Sequence, residues 1–222
     1  MIVRSKKSTK KIVYFVRHGQ SDDNVAAVFQ GVDSPLSKTG HEQASKIANR
    51  INEADFQALI SSPQSRAKTT AEAIAKLTDK PVELSDLFVE RIKPTSVNGK
   101  PYSDTNAAEI WRKWEVSMTT PGTKIEDGEN YDEIVERADQ ALKFLYDYPA
   151  KNLVVVTHGY FLRVLVARVL LDEQLNSKSF KKLVQVTEME NTGVTVIVYE
   201  DAFEQPSCWR LWMYNDHSHL TE

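Results

Sequence analysis

The 222-residue chain has a single cysteine, Cys208, so no disulfide can form within it. Such scarcity suits a reducing compartment and leads us to expect a cytoplasmic protein. No apolar run approaches the ~20 residues that a membrane-spanning helix needs. The basic start, MIVRSKKSTKK, lacks the apolar stretch of a secretory leader and has no lipidation motif beside it. Residues 1–10 therefore read as a flexible, solvated basic tail, and no membrane partner is expected. Excess positive charge is missing too, since 28 Lys and Arg face 31 Asp and Glu for a formal charge of -3. A nucleic-acid partner is not expected from that balance, and any anion site must be local. At 41% hydrophobic and 27% charged residues, neither a disordered nor a fibrous class is indicated. The length suits one domain, here residues 11–222, with a sizeable core.

What is present alternates. Short β-branched or aromatic runs occur at KIVYFV (11–16), ALIS (58–61), NLVVVTH (152–158) and GVTVIVYE (193–200), as expected for strands buried on both faces. Helical patterns lie between them. In TGHEQASKIANRI, Thr39 and Glu42 have capping-box spacing, and Ala44, Ile47, Ala48 and Ile51 form one stripe. In SSPQSRAKTTAEAIAKL, Ser62 is placed to cap, Pro63 suits the first helical position, and Ala67, Thr70, Ala71, Ile74 and Leu77 face inward. YDEIVERADQALKFLYDY repeats the pattern, and YFLRVLVARVLL is apolar nearly all round. This order predicts a three-layer α/β/α sandwich with a mostly parallel central sheet. GVTVIVYE and CWRLWMY (208–214) are expected to pair antiparallel at one edge. Residues 91–128, with Pro94, Pro101, Pro121, Gly99, Gly122 and Gly128, break the alternation and read as an insertion covering the end of the sheet.

The chemistry-bearing residues fall where two strands end. One runs into Arg17-His18-Gly19 and another into His158-Gly159. Ligands in open α/β sheets bind outside the carboxyl ends of the strands, so parallel neighbours would bring both imidazoles to one crevice. Glycine after each histidine permits close backbone approach. A third strand leads through Ser61-Ser62-Pro63 into a helix with Arg66 in its first turn, where a cation opposes the helix dipole by a few tenths to ~1 kcal/mol. Broken local rules tend to mark function. Arg17, Arg66 and a helix N-terminus form a positive hollow suited to a tetrahedral dianion.

The stretch VRHGQSDDN (16–24) resembles the signature of the histidine phosphatase superfamily, the phosphoglycerate mutase-like proteins. The resemblance continues in order through FQGVDSPLSKTGHEQA (29–44), SSPQSRAKTTA (61–71), FVER (88–91), DGENYDEIVER (127–137), VVVTHGYFLR (154–163) and YNDHSHL (214–220). It implies an α/β sandwich, a phosphohistidine intermediate and no metal or other cofactor. Carried over by position, it makes His18 the nucleophile, Arg17, Arg66 and His158 the phosphate clamp, and Glu90 the proton donor. Gln20, Ser21, Asn24, Gln30, Gly31 and Gly159 fall where the family binds substrate. After Glu90-Arg91 the chain departs from the mutase pattern at Ile92-Lys93-Pro94, and Glu83, Asp86 and Asp104 stand as alternative acids.

The expected activity is hydrolysis of a small phosphorylated metabolite, releasing inorganic phosphate. A cofactor-dependent phosphoglycerate mutase is the alternative within the chemistry. A tryptophan-bearing pocket motif near FQGVDSP and a longer basic insertion, both mutase features, are absent or altered. A catalytically silent phospholigand-binding scaffold is the alternative of another class, though such relatives are expected to lose a catalytic His or Arg. Trp111 and Trp114 are candidates for the pocket wall, and Cys208 reads as edge-strand packing. His217 and His219 have metal-ligand spacing but are too few for a site. The substrate and any homo-oligomer are left open.

Overall fold

A computed structural model describes residues 9–31, 33–201 and 209–221 of the chain. Its sheet has the order β3-β2-β4-β1-β5-β6. The strands are β1 (Lys10–Arg17), β2 (Ala58–Ser61), β3 (Val82–Leu84), β4 (Asn152–Thr157), β5 (Val194–Glu200) and β6 (Trp209–Asp216). The four strands from β3 to β1 run parallel, while β5 pairs antiparallel with both β1 and β6. The expected antiparallel pair at the edge is thus β5 with β6. Lys10, assigned to the tail from sequence, opens β1, and the backbone N–H of Thr9 already donates to Asp201. The rest of that tail, residues 1–8, lies outside the described residues, as does Cys208.

Helices cover both faces because each carries an apolar stripe of helical period. On one face α2 (Lys38–Asn52) and α3 (Ser65–Thr78) pack Ile47, Ile51, Ala67, Ala71 and Ile74 against Val16, Val154 and Val156. On the other, α5 (Tyr131–Asp147) and α6 (Gly159–Leu171) pack Ile134, Ala138, Leu145, Phe161 and Leu165 against Phe15, Val155 and Ile197. Truncating one such buried aliphatic chain to alanine costs ~2–5 kcal/mol. The remaining helices are α1 (Asp22–Val25), α4 (Thr105–Ser117) and α7 (Ser177–Val186).

Helix starts differ from their sequence expectation in ways that bear on the site. Ser37, not Thr39, caps α2: its Oγ accepts from Gly40 N and donates to Gln20 Oε1. A Cβ on Gly40 would lie 1.9 Å from Gln20 O, and one on Gly19 would lie 2.6 Å from Gly40 O. The two glycines let the first turn of α2 press directly onto the loop that follows His18. α3 begins after Pro63, with Gln64 as a cap whose side chain accepts from Arg66 instead of capping the helix, while Ser62 Oγ accepts from Gln64 N and also reaches His158. Leu77, expected inside, is 45% exposed at the end of that helix.

Candidate active site

Strand register sets the level of the two imidazoles. Arg17 stands opposite Thr157 in the β1·β4 ladder, so each His-Gly pair leaves the sheet at the same height. The N–H of His18 donates to Thr157 O, and the two ring centroids are 5.0 Å apart. β2, on the other side of β4, ends at the same level and delivers Ser62 and then Arg66 at the start of α3. Each of these strands is buried among apolar neighbours, so the core as well as the bonds between them fixes their polar ends.

His18 is 2% exposed. Its Nδ1 lies 2.6 Å from Gly19 O, and its Nε2 accepts a hydrogen bond from Arg66 Nε at 3.2 Å. A ring whose Nδ1–H donates to a carbonyl while Nε2 faces an N–H is neutral, with its lone pair on Nε2. Burial holds this imidazole well below its usual range, Arg66 and Arg17 add to that, and the bond to Gly19 opposes it. Burial does the same to His158, aided by Arg66, His18 and Arg17. Its Nε2 sits 2.8 Å from Ser62 Oγ, while its Nδ1 is buried without a partner among the described residues.

Arg17 donates through Nη1 to Met189 O, and its Nε is also buried without a partner among the described residues, with the backbone of Gly159 close by. Burial lowers Arg66 to about 10, against the pull of Glu90. The loop carrying His18 is stitched from behind. Thr70 Oγ1 accepts from Gly19 N and donates to Arg66 O, Asn191 Nδ2 donates to His18 O, and Thr192 N donates to Arg17 O.

Glu90 sits across the N-terminus of α6. One oxygen, Oε1, accepts from Arg91 N and Phe161 N, and Oε2 accepts from Tyr160 N alone. It does for α6 what the helix's own N-cap, His158, does not. Its position is set by a buried lattice on either side. Arg91 stacks on Trp114 and bonds Trp114 O, Ser117 and Glu115, while Arg137 binds both oxygens of Glu129 and the carbonyls of Leu87 and Val89.

The other acids weighed from sequence lie elsewhere or at the rim. Glu83 takes the hydroxyl of Tyr148, Asp104 caps α4, and Asp86 is an exposed residue lining a cavity of about 640 Å³ that Arg66 and Glu90 also line. Gly31 lines that cavity too and accepts from Arg66 Nη1. Gly159, with Arg17 and Glu90, lines a second crevice of about 360 Å³.

Gln20 and Ser21 are used internally, with Gln20 bonded to Ser37 and the fully buried Ser21 to Gln30 Nε2 at 2.5 Å. The side chain of Asn24 lies outside the described residues. Trp111 and Trp114 are not in the cavity wall; they stack edge-on with each other, Trp111 against Phe29 and Trp114 under Arg91. His219 spends its two ring nitrogens on Arg50 and Thr192.

A family profile, the histidine phosphatase superfamily (branch 1), matches residues 13–211. The chain belongs to the histidine phosphatase superfamily. Among members of this superfamily described by name, the chain is similar to the probable phosphoglycerate mutase GpmB of Photorhabdus laumondii, 32% identical over 94% of each chain. The protein of the same name from Escherichia coli is 30% identical over 94% of each. Among solved structures, a mycobacterial glucosyl-3-phosphoglycerate phosphatase matches with a TM-score of 0.73 at 22% identity, over 94% of this chain and 100% of that one. An Entamoeba histolytica phosphoserine phosphatase, in complex with phosphoserine, matches with a TM-score of 0.73 at 23% identity, over 95% and 99%.

In this histidine phosphatase fold the motif residues divide by task. Arg17, His18, Arg66 and His158 converge on one point at the strand ends, and Glu90 lies within electrostatic reach of both arginines. SPLSKTGHEQ supplies the capping serine and the close-packed glycine of α2, and DGENYDEIVER supplies the Glu129–Arg137 pair beneath Glu90. Sequence reasoning missed Ser62, Thr70, Asn191 and Thr192. Ser62 and Thr70 carried a signal, since polar residues on an apolar strand end or helix face need partners. Asn191 and Thr192 carried none, because only the fold brings that turn to His18.

Proposed function

We propose that this protein is a phosphomonoester phosphatase in which His18 Nε2 is transiently phosphorylated. The observation that carries the reading is the fixed neutral tautomer of His18, whose lone pair faces Arg66 beside Arg17 and His158. Phosphate-monoester hydrolysis is among the slowest reactions in water, so it demands several fixed cations rather than one group. In the first step Nε2 forms a bond to phosphorus as the bond to the leaving oxygen breaks, with attacking and leaving atoms in line. Arg17, Arg66 and His158 hold the equatorial oxygens. The two buried atoms without protein partners, Arg17 Nε and His158 Nδ1, are suited to that task. If Ser62 Oγ–H donates to Nε2 of His158, the proton of the neutral ring sits on Nδ1 and faces the phosphate.

Glu90, protonated by the bound monoester as it enters, passes that proton to the leaving alkoxide. Its Oε2 accepts only one backbone N–H and so has room for a substrate oxygen. In the second step the same carboxylate takes a proton from water, which attacks the phosphohistidine and releases inorganic phosphate. No step calls on a metal.

A mutase reading is favoured by the names of the relatives at 30–32% identity. It requires that the intermediate be kept and rephosphorylated from His18. Turnover of a panel of phosphometabolites by wild type beside His18→Ala, with trapping of acid-labile phosphate on the wild type, tests the phosphatase proposal. Hydrolysis that survives loss of His18 would refute it. Interconversion of 2- and 3-phosphoglycerate primed by 2,3-bisphosphoglycerate, faster than hydrolysis, would put the mutase first.

A further inference from the structure

The cavity of about 640 Å³ beside the proposed phosphate site is lined by four basic side chains: Arg66, Arg91, Lys93 and Arg137. Three are committed. Arg66 bonds Gly31 O, Gln64 and His18, Arg91 bonds Trp114, Ser117 and Glu115, and Arg137 bonds Glu129 with two carbonyls. Lys93 makes no hydrogen bond or ion pair within 4 Å among the described residues. It is the departure from the mutase pattern noted after Glu90-Arg91. Burial lowers it to about 8 and Arg66 adds to that, with Glu90 and Asp23 opposing, so it still carries most of its charge at neutral pH. Taking an ammonium group out of water without a partner is unfavourable for folding.

A second polar group of the same segment is also unspent. Asn98 lines the cavity, and its Oδ1 is buried with no hydrogen-bond donor among the described residues. Unpartnered buried polar atoms are uncommon in proteins and call for a reason. The segment is held in place: Gly99 N donates to Phe29 O, Phe29 N donates to Lys100 O, Thr95 N donates to Asp127, and Val97 packs with Phe29 and Ala107. A braced segment that places an unpaired ammonium and an amide with an unsatisfied oxygen at the lining of a cavity is suited to binding, the amide turning to meet a ligand.

We propose that Lys93 and Asn98 form a recognition site for the organic part of the substrate, Lys93 binding a second negative group and Asn98 a hydroxyl. This rests on the reading of His18, Arg17 and Arg66 as the phosphate site. The substrate is then a small phosphomonoester with one further anionic group and a hydroxyl. The exposed carboxylates of Asp33 and Asp86, at the cavity lining, disfavour a more highly charged one. Because a hydroxyl both donates and accepts, it can satisfy the side-chain amide of Asn98 in either orientation.

Three esters separate the two contacts: phosphoglycolate has the second anion, glycerol 1-phosphate has hydroxyls, and ethyl phosphate has neither. Lys93→Met is expected to lower kcat/KM on phosphoglycolate on the order of tenfold more than on ethyl phosphate, mostly through KM, with Lys93→Arg restoring the preference. Asn98→Ala is expected to act on glycerol 1-phosphate and to spare the phosphoglycolate preference. Equal losses on all three esters, or a wild type without preference, would overturn the proposal while leaving the phosphatase reading intact. Calorimetric binding of the same esters to His18→Ala, with and without Lys93→Met, gives the converse. Discrimination in binding without turnover by the wild type would support the subsite and sink the phosphatase reading.

Discussion

Replacing Glu90 with glutamine tests two roles that the structure gives to one side chain. The carboxylate accepts two backbone N–H groups at the start of α6, from Tyr160 and Phe161, and a third from Arg91. Glutamine keeps one oxygen for Arg91 N and Phe161 N, but turns an amide N–H toward Tyr160 N, where both partners are donors. One hydrogen bond to a charged group is worth ~1.5–3 kcal/mol, and the lost charge at the helix N-terminus adds ~0.3–1 kcal/mol. Stability should therefore fall by ~2–4 kcal/mol, a drop of roughly 5–15 °C in Tm for a chain of this size.

Catalysis should change in a pattern that stability cannot mimic. If Glu90 protonates the leaving group, turnover of an alkyl phosphate falls ~10²–10⁴-fold, while an aryl phosphate, whose leaving group needs little protonation, loses far less. The alkyl-to-aryl ratio is independent of the fraction folded, so a calorimetric scan and two substrates measured at 25 °C separate the effects. An unchanged ratio removes Glu90 from proton transfer. An unchanged Tm removes it from the capping of α6.

Other expectations follow from neighbouring geometry. Gly40→Ala puts a Cβ 1.9 Å from Gln20 O; the forced retreat of α2 should cost ~1–3 kcal/mol, read from the denaturant midpoint, and an unmoved midpoint would contradict the close approach. Burial holds His18 and His158 well below the ordinary imidazole value of 6.5, and His219 at about 4. Above pH 6.5 folded and unfolded chains are alike in these groups. As pH falls below 6.5 the unfolded chain takes up protons that the folded one does not, so stability should decline through the window from 6.5 toward 4; substitution of His219 by glutamine should make that decline shallower. Ser62→Ala removes the partner of His158 Nε2. It should lower kcat for phosphoryl transfer about tenfold, and Ser62→Thr, which keeps the hydroxyl, should recover most of it; equal loss in both variants would indicate mere disturbance of packing.

The layered architecture was legible because the core is written in local patterns. KIVYFV, ALIS and NLVVVTH became β1, β2 and β4, and the inward stripes of α2 and α3 came out as expected except for Leu77. β3 and α7 escaped because the first has only three residues, partly exposed, and the second buries little beyond Phe180. Helix starts were misplaced where a tertiary contact chose the cap, as with Ser37 held by Gln20. In the candidate site, the strand-end position of His18 and His158 and the misfit of Arg66 with a helix N-terminus were readable from local rules. The double duty of Glu90 was not. It depends on a carboxylate from one segment meeting backbone N–H groups seventy residues further along, a distance over which sequence pattern carries no information.

The strand that leads into His18 is made early, yet its two partners are made late: Tyr14 pairs with Val154 on one side and Val196 on the other. A growing chain therefore carries the imidazole long before the groups around it, and the candidate site closes only once β4 and β5 have been made. Pairings so distant in sequence are slow to form, and until β4 and β5 arrive β1 has two unpaired edges, the kind of feature that invites pairing with other chains.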